Sequence, residues 1–542
     1  MINESMINLT KKMVQIPSVN TTQGEREIGL FLEQYIRDIP YFKKHPDQVI
    51  AQNLKNDDLD RRSVFALLIG EKDDNADTII LHGHTDTVGV EDFGDLAEYA
   101  FSPDLLREKM KLARLPKEVL EDLQSNEYIF GRGACDMKSG DAVFIEMLRE
   151  LSEHPEKLSG NILLSLNPVE ENLHTGIIEG IDTLKSLKEK YGLNYILAIN
   201  NDYICPLYPG DSTYTIYTGV VGKLLPCFYI HGKETHVGQC FEGFDASMLA
   251  AMLVEKINLN TDFSDEYMGE CALPPTVLKM KDLKPWYNVQ TAVEAMAYFN
   301  YFVHNASMTE ITEKLLDAGN SVVDEFMDKL NDNFKKFCDM SGQEYTKIDY
   351  DARVYSYSEL LEIARSCDEF SESEIDRIVK KETEAGVDKR EIPIEVIRYL
   401  LHVTGIKQPV VVMYFAAPYC PHNTLQGENE HIIDEVRKIS EGIEERYGIS
   451  YRMMKFFPSL SDSSYLKIDD DEESVDMLVK NFPGFDELYP LPLSDIRDLD
   501  IPAINYGCYG KDAHKWTERV NIPYTFEILP ELIKMTIEFY LA

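Results

Sequence analysis

Thr78-Ile79-Ile80-Leu81-His82-Gly83-His84-Thr85-Asp86 is an apolar, strand-like run that stops abruptly at imidazoles and a carboxylate. Residues two apart in a strand share a face, so His84 and Asp86 can act together. A histidine whose second ring nitrogen is held by a carboxylate is how proteins build a metal ligand. A buried structural His–Asp pair would give the same short pattern, so the meaning of the stretch depends on what the rest of the chain brings to it.

Four further sites follow in similar settings. Gly131-Arg132-Gly133-Ala134-Cys135-Asp136-Met137-Lys138-Ser139-Gly140 places a carboxylate in a glycine-rich turn before an amphipathic stretch, Ala142 to Leu148. Such loop-to-helix junctions favour negative charge, although a capping aspartate in an ordinary turn explains it equally well by itself. Glu170-Glu171 follows the strand-like run Ile162 to Asn167. Adjacent acids are usually solvated surface, but the carboxyl ends of strands are where open α/β sheets bind ligands. Asp202 follows Tyr195 to Ile199, and His514 follows Ala503 to Gly507, with Glu518 four residues on. The sum is two histidines and three or four carboxylates, with no thiolate required. That donor set suits two divalent ions sharing one bridging carboxylate, with a leftover carboxylate as general base for an activated water. Ligand types leave zinc, manganese and cobalt open.

Strand-like runs at 64–69, 78–83, 161–167 and 194–200 alternate with helical patterns at 139–153 and 176–190. Residues 22–38 also have helical spacing, with Ile28, Phe31, Leu32, Tyr35 and Ile36 on one face. This alternation predicts an α/β catalytic domain with a mainly parallel, mixed sheet flanked by helices. Residues 100–126 read as a polar insertion with one or two short helices. Near residue 216 the pattern changes. A strand at 225–231, a helix at 245–259, strand character at 288–303, a long helix at 308–337 and a strand at 409–415 fit a βαββαβ order in which the two middle strands are not placed separately. The expected division is 1–215 and 423–542 as the two parts of the catalytic domain, with 216–422 inserted between them. A helical, charge-rich insertion at 340–405 lengthens the inserted domain.

Lys plus Arg total 54 and Asp plus Glu total 94, for a net charge of −40. This balance repels nucleic acid. The acidic run Asp469-Asp470-Asp471-Glu472-Glu473 reads as a solvated loop. Nine scattered cysteines without a Cys-x-x-Cys pair point to reduced thiols and a cytoplasmic protein. No signal peptide or membrane span is expected from the apolar runs.

The order His-x-Asp, Gly-Arg-Gly-x-x-Asp-Met-Lys, Glu-Glu, Asp and a late His resembles the aminoacylase and glutamate-carboxypeptidase family of di-zinc hydrolases. That family includes acetylornithine deacetylase, succinyl-diaminopimelate desuccinylase and several di- and tripeptidases. Pro458-Ser459-Leu460-Ser461-Asp462-Ser463-Ser464 and Pro418-Tyr419-Cys420-Pro421-His422 resemble its RocB-type arginine-utilisation branch. The resemblance implies that His84 and Asp202 hold one zinc, Glu171 and His514 the other, and Asp136 bridges them. Asp86 would orient His84, Glu170 would be the general base, and the Asp136–Met137 peptide bond would be cis. It also implies that 216–422 is a ferredoxin-like α+β lid, through which the family often forms a homodimer. His236 of this lid would stabilise the tetrahedral oxyanion, and Asn288 would contact the substrate.

Two positions depart from the family pattern. Asn200-Asn201 replaces the common acidic-Pro-Thr form, and no arginine occurs in Ala297 to Phe302, where the family holds a substrate carboxylate. The implied activity is hydrolysis of an amide in an N-acyl amino acid or short peptide, in arginine or related amino-acid catabolism. Two other readings use the same residues. One is a catalytically inactive binding protein on this fold, which a missing ligand would mark. The other is a di-metal phosphoesterase, which would need a basic cluster near the motifs.

Overall fold

The computed structural model describes residues 3–542 and divides the chain into two units. The first comprises Met1–Val220, Asn423–Ile468 and Pro492–Ala542. Its eight-stranded sheet runs in the order Val49–Asn53, Arg62–Leu68, Asn161–Asn167, Asp77–His84, Asn194–Asn200, Ala503–Asn505, Tyr214–Tyr217, Tyr451–Met454. The four central strands, Asn161–Asn167 to Ala503–Asn505, are mutually parallel, and antiparallel strands join them on either side. The sheet is therefore mixed, with a parallel centre.

The central strands read as unbroken apolar runs because both faces of the sheet are covered. Ile79, Ile80 and Leu81 are all buried, as are Ile162 to Leu164 and Leu197 to Ile199. Helix Ser139–Ser152 is buried from Ser139 through Leu148, so it belongs to the core rather than capping it. Gly83, between the two histidines, packs closely against two side-chain ends. A Cβ there would lie 2.3 Å from Asp141 Oδ1 and 2.7 Å from Met137 Cε. The expected insertion at 100–126 forms two helices, Pro103–Met110 and Lys117–Ser125.

The second unit comprises Val221–His422 and Asp469–Leu491. Its sheet runs Thr276–Asp282, Glu294–Val303, Pro226–His231, Val410–Phe415, Arg353–Ser356. The first four strands are antiparallel neighbours and, with helices Ala246–Ile257 and Met308–Ser341, make the ferredoxin-like βαββαβ arrangement. The 340–405 insertion is more than helical. Besides helices Tyr357–Arg365, Glu372–Glu384 and Ile392–Thr404, it contributes Arg353–Ser356, a parallel edge strand beside Val410–Phe415.

The segment 423–542 is not continuous within the first unit, because Asp469–Leu491 returns to the second. The acidic run that begins this segment is solvated only in part: Asp471, Glu472 and Glu473 are exposed, and the last two open a helix. Asp470 is buried, lies 3.2 Å from His422 Nδ1 and accepts a hydrogen bond from Tyr419 Oη at 2.9 Å. Asp471 caps the helix Glu472–Lys480 by accepting from Ser474 N. Ser474 Oγ in turn accepts from Met308 N, and Asn481 O from Phe415 N.

Candidate metal centre

The strand Asp77–His84 delivers His84 at its carboxyl end, and the parallel strands beside it deliver Glu170-Glu171 and Asp202 just beyond theirs. Asp136 comes from the glycine-rich turn. Gly133 adopts φ +76° there, and a Cβ at that position would meet Thr87 Cγ2 at 2.6 Å. The Asp136–Met137 peptide bond is cis, as the resemblance implied. These side chains converge. Asp136 Oδ1 lies 3.0 Å from His84 Nε2, and its Oδ2 lies 3.1 Å from His514 Nε2. Glu171 Oε1 lies 2.9 Å from His514 Nε2, and Glu170 Oε2 lies 4.0 Å from His84 Nε2. His84, Asp136 and Asp202 form one group with ligand atoms within 4.8 Å of one another, and Asp136, Glu171 and His514 form a second. Asp136 belongs to both, offering one oxygen to each.

The electrostatics of this cluster call for cations. Asp86, Asp136, Glu170 and Asp202 are buried and Glu171 nearly so, and the imidazoles of His84, His514 and His174 stand against them. Buried charge at such density is costly unless it is neutralised. Burial, reinforced by neighbouring carboxylates, pushes the Glu170 and Asp202 carboxyls well above the ordinary range and raises Glu171. Burial alone would lower the imidazoles, but the carboxylates outweigh it. Glu170, Asp136 and Asp86 hold His84 well above its usual value, and Asp136 and Glu171 raise His514 to about 11. The histidines thus carry protons in the absence of metal, whereas a ligand must be deprotonated. Metal uptake at neutral pH should therefore release protons from His84 and His514, and affinity should rise with pH. Calorimetry in buffers of different ionisation enthalpy checks this. Binding with no proton release would contradict it.

The sequence reading paired Asp86 with His84. The ring Nδ1 of His84 lies 3.2 Å from the Asp86 carbonyl oxygen and 3.7 Å from its carboxylate. The carboxylate oxygens mainly accept from Glu170 N at 3.0 Å, Glu171 N at 3.1 Å and Asn20 Nδ2 at 2.9 Å. Asp86 therefore fixes the turn that presents both glutamates. Glu518, for which sequence offered no role, does the same for Asp136. Its Oε1 accepts from Cys135 N and Asp136 N, and its Oε2 pairs with Arg132 at 2.7 Å. Asn200 lies beside the candidate ligands rather than among them and donates to Ser461 Oγ at 2.7 Å.

His236 and Asn288 lie on the second unit. His236 is exposed, and its Nδ1 accepts from Gly238 N. Its backbone pairs with Gln290, whose side chain accepts from Asn288 Nδ2 at 3.0 Å. The two residues are thus neighbours within that unit.

The family description "Peptidase family M20/M25/M40" matches residues 80–535. The chain is 38% identical to Protein RocB of Bacillus subtilis over 535 residues, covering 97% of this chain and 93% of that protein. It is 23% identical to succinyl-diaminopimelate desuccinylase of Sulfurimonas denitrificans over 310 residues, 57% of this chain and 70% of that one. A tripeptidase structure from Staphylococcus aureus shares the fold, with a TM-score of 0.53, 15% identity and coverage of 99% of both chains.

Proposed function

Because the chain belongs to peptidase family M20/M25/M40 and is a metal-dependent amide hydrolase, we propose that it cleaves an N-acyl amino acid or short peptide. The observation that carries this reading is the carboxylate of Asp136 shared between two groups of ligand atoms, with Glu170 beside them. The desuccinylase similarity supports a deacylase, and the resemblance to the RocB-type branch supports a place in arginine or related amino-acid catabolism. Nine cysteines, all free, fit a reducing cytoplasm. Among the described residues no helix is long and apolar enough to cross a membrane.

His84 and Asp202 would hold one ion, Glu171 and His514 the other, and Asp136 both. When bound, two divalent ions, zinc by family resemblance, supply Lewis-acid activation of a water and of the amide carbonyl. Glu170 takes the proton of the attacking water on its carboxylate and returns it to the leaving nitrogen. Asp86 holds the turn that aims Glu170, and Glu518 holds the turn that aims Asp136. His236 is assigned to the oxyanion and Asn288 to the substrate, both on the family resemblance. Accordingly, His236→Ala should lower kcat roughly 100-fold or more while metal content stays at two. Wild-type turnover in that variant would remove His236 from the mechanism.

A second copy of the chain is proposed as partner. The edge strand Thr276–Asp282 exposes Leu278 and Met280, and the following segment exposes Trp286 and Tyr287. An apolar strand edge of this kind invites pairing, and light scattering in solution tests it. The decisive experiment for function is a screen of N-acyl amino acids, dipeptides and phosphate esters on metal-loaded protein, with Glu170→Gln as the blank. Cleavage of phosphate esters alone would overturn the amide-hydrolase mechanism.

A further inference from the structure

The serine-rich segment Ser459 to Ser464 resembles the RocB-type branch but has no part in the mechanism above. In the fold it is a buried plate on which three side chains from the strand ends dock. His82 Nε2 lies 3.1 Å from Ser463 Oγ, and Asn200 Nδ2 donates to Ser461 Oγ at 2.7 Å. His174, just beyond the Glu170-Glu171 turn, has its Nδ1 3.1 Å from Asp462 Oδ1. The plate is itself fixed. Ser461 Oγ accepts from Ser463 N, and Ser463 O accepts from Asn423 Nδ2 at 3.0 Å. All of these side chains are buried.

His174 is the member that faces the chemistry. Its ring lies against Tyr465, with centroids 5.1 Å apart, and its backbone sits in the left-handed region at φ +54°. Its Nδ1 lies 3.9 Å from Glu170 Oε1, while Glu170 Oε2 lies 4.0 Å from His84 Nε2. The Glu170 carboxylate thus stands between His174 on one oxygen and a ligand histidine on the other. A misplacement of about 1 Å at a reacting group can cost on the order of a hundred-fold in rate.

We propose that His174, anchored by Asp462, is a positioning residue that fixes which oxygen of Glu170 faces the reacting water. The proposal rests on the hydrolase reading above, with Glu170 as base. Its Nδ1 is engaged by Asp462, and His174 is assigned no proton transfer of its own. It acts only through Glu170.

The test uses the metal-loaded full chain and the best amide substrate from the screen. Position 174 needs a residue that tolerates positive φ, which glycine and asparagine do. His174→Gly should lower kcat on the order of 100-fold, with KM and metal stoichiometry unchanged. His174→Asn keeps an N–H for Asp462 and a polar edge beside Glu170, so it should recover most of the lost kcat. Asp462→Ala should reproduce the loss. The His174→Gly/Asp462→Ala double variant should be no slower than the slower single variant, because both act through one contact. The proposal is overturned if His174→Gly keeps wild-type kcat or loses metal, or if the two single losses multiply. Should the glycine variant not fold, the asparagine and Asp462 variants decide alone: wild-type kcat in Asp462→Ala overturns the proposal. A wild-type protein that cleaves no amide sinks the hydrolase reading instead.

Discussion

Glu170→Gln protein is expected to bind two metal ions and turn over almost nothing, whereas Glu171→Ala is expected to lose metal. The two residues are adjacent and share one support, since the Asp86 carboxylate accepts the backbone N–H of each. Their side chains nevertheless part. Glu171 Oε1 lies 2.9 Å from the ligand nitrogen of His514, in one ligand group with Asp136. Glu170 stands 4.0 Å from His84 Nε2 and turns its other oxygen towards His174. Glutamine keeps the shape of Glu170 but cannot accept a proton from water, and loss of a general base costs roughly 100- to 10,000-fold. Alanine at 171 deletes a residue assigned as a ligand. The division is not trivial, because His84, Glu170 and Glu171 also have oxygens and nitrogens close enough to share an ion. Metal analysis of the two variants beside their kcat values settles it. Equal metal loss in both would end the assignment of separate roles.

What the sequence made legible was what depends on short spacing. The central strands announce themselves because burial on both faces leaves continuous apolar runs, and each run ends at a donor. Of the five donors, His84, Glu171 and Asp202 are brought together by the parallel centre of the sheet, with Glu170 beside them, while the glycine-rich turn adds Asp136 and a later loop adds His514. The supports of these donors were not legible, because they come from remote parts of the chain. Glu518 reaches back to the amides of Cys135 and Asp136, and Asp462 to His174, and no local pattern in the sequence records either. Asp86 was read as a partner of His84 because it is two residues away, whereas its carboxylate also closes on amides at 170 and 171. The acidic run at 469–473 misled for the same reason. Five consecutive acids look solvated, but Asp470 finds His422 and Tyr419, which draws Asp469–Leu491 into the second unit.

Asp136→Ala should reduce the bound metal from two ions to none and abolish turnover, while leaving the turn that carries it intact. Each Asp136 oxygen faces a different imidazole, His84 at 3.0 Å and His514 at 3.1 Å, so one substitution strips a ligand from both groups. What remains is His84 with Asp202 on one side and Glu171 with His514 on the other, fewer protein ligands than a stable site keeps. The backbone of the turn does not depend on the lost carboxylate. Glu518 still accepts the amides of residues 135 and 136, and Arg132 still pairs with Glu518, donates to Gly89 O and binds Asp92. The metal-free variant should therefore unfold at a temperature close to that of the metal-free parent, whereas only the parent should gain stability when metal is added, since a ligand that binds the folded state alone stabilises it. Thermal scans with and without zinc, alongside elemental analysis, test both halves. Two ions retained by Asp136→Ala would refute the bridge. A variant that unfolds early even without metal would show that the side chain, and not only Glu518, holds the turn.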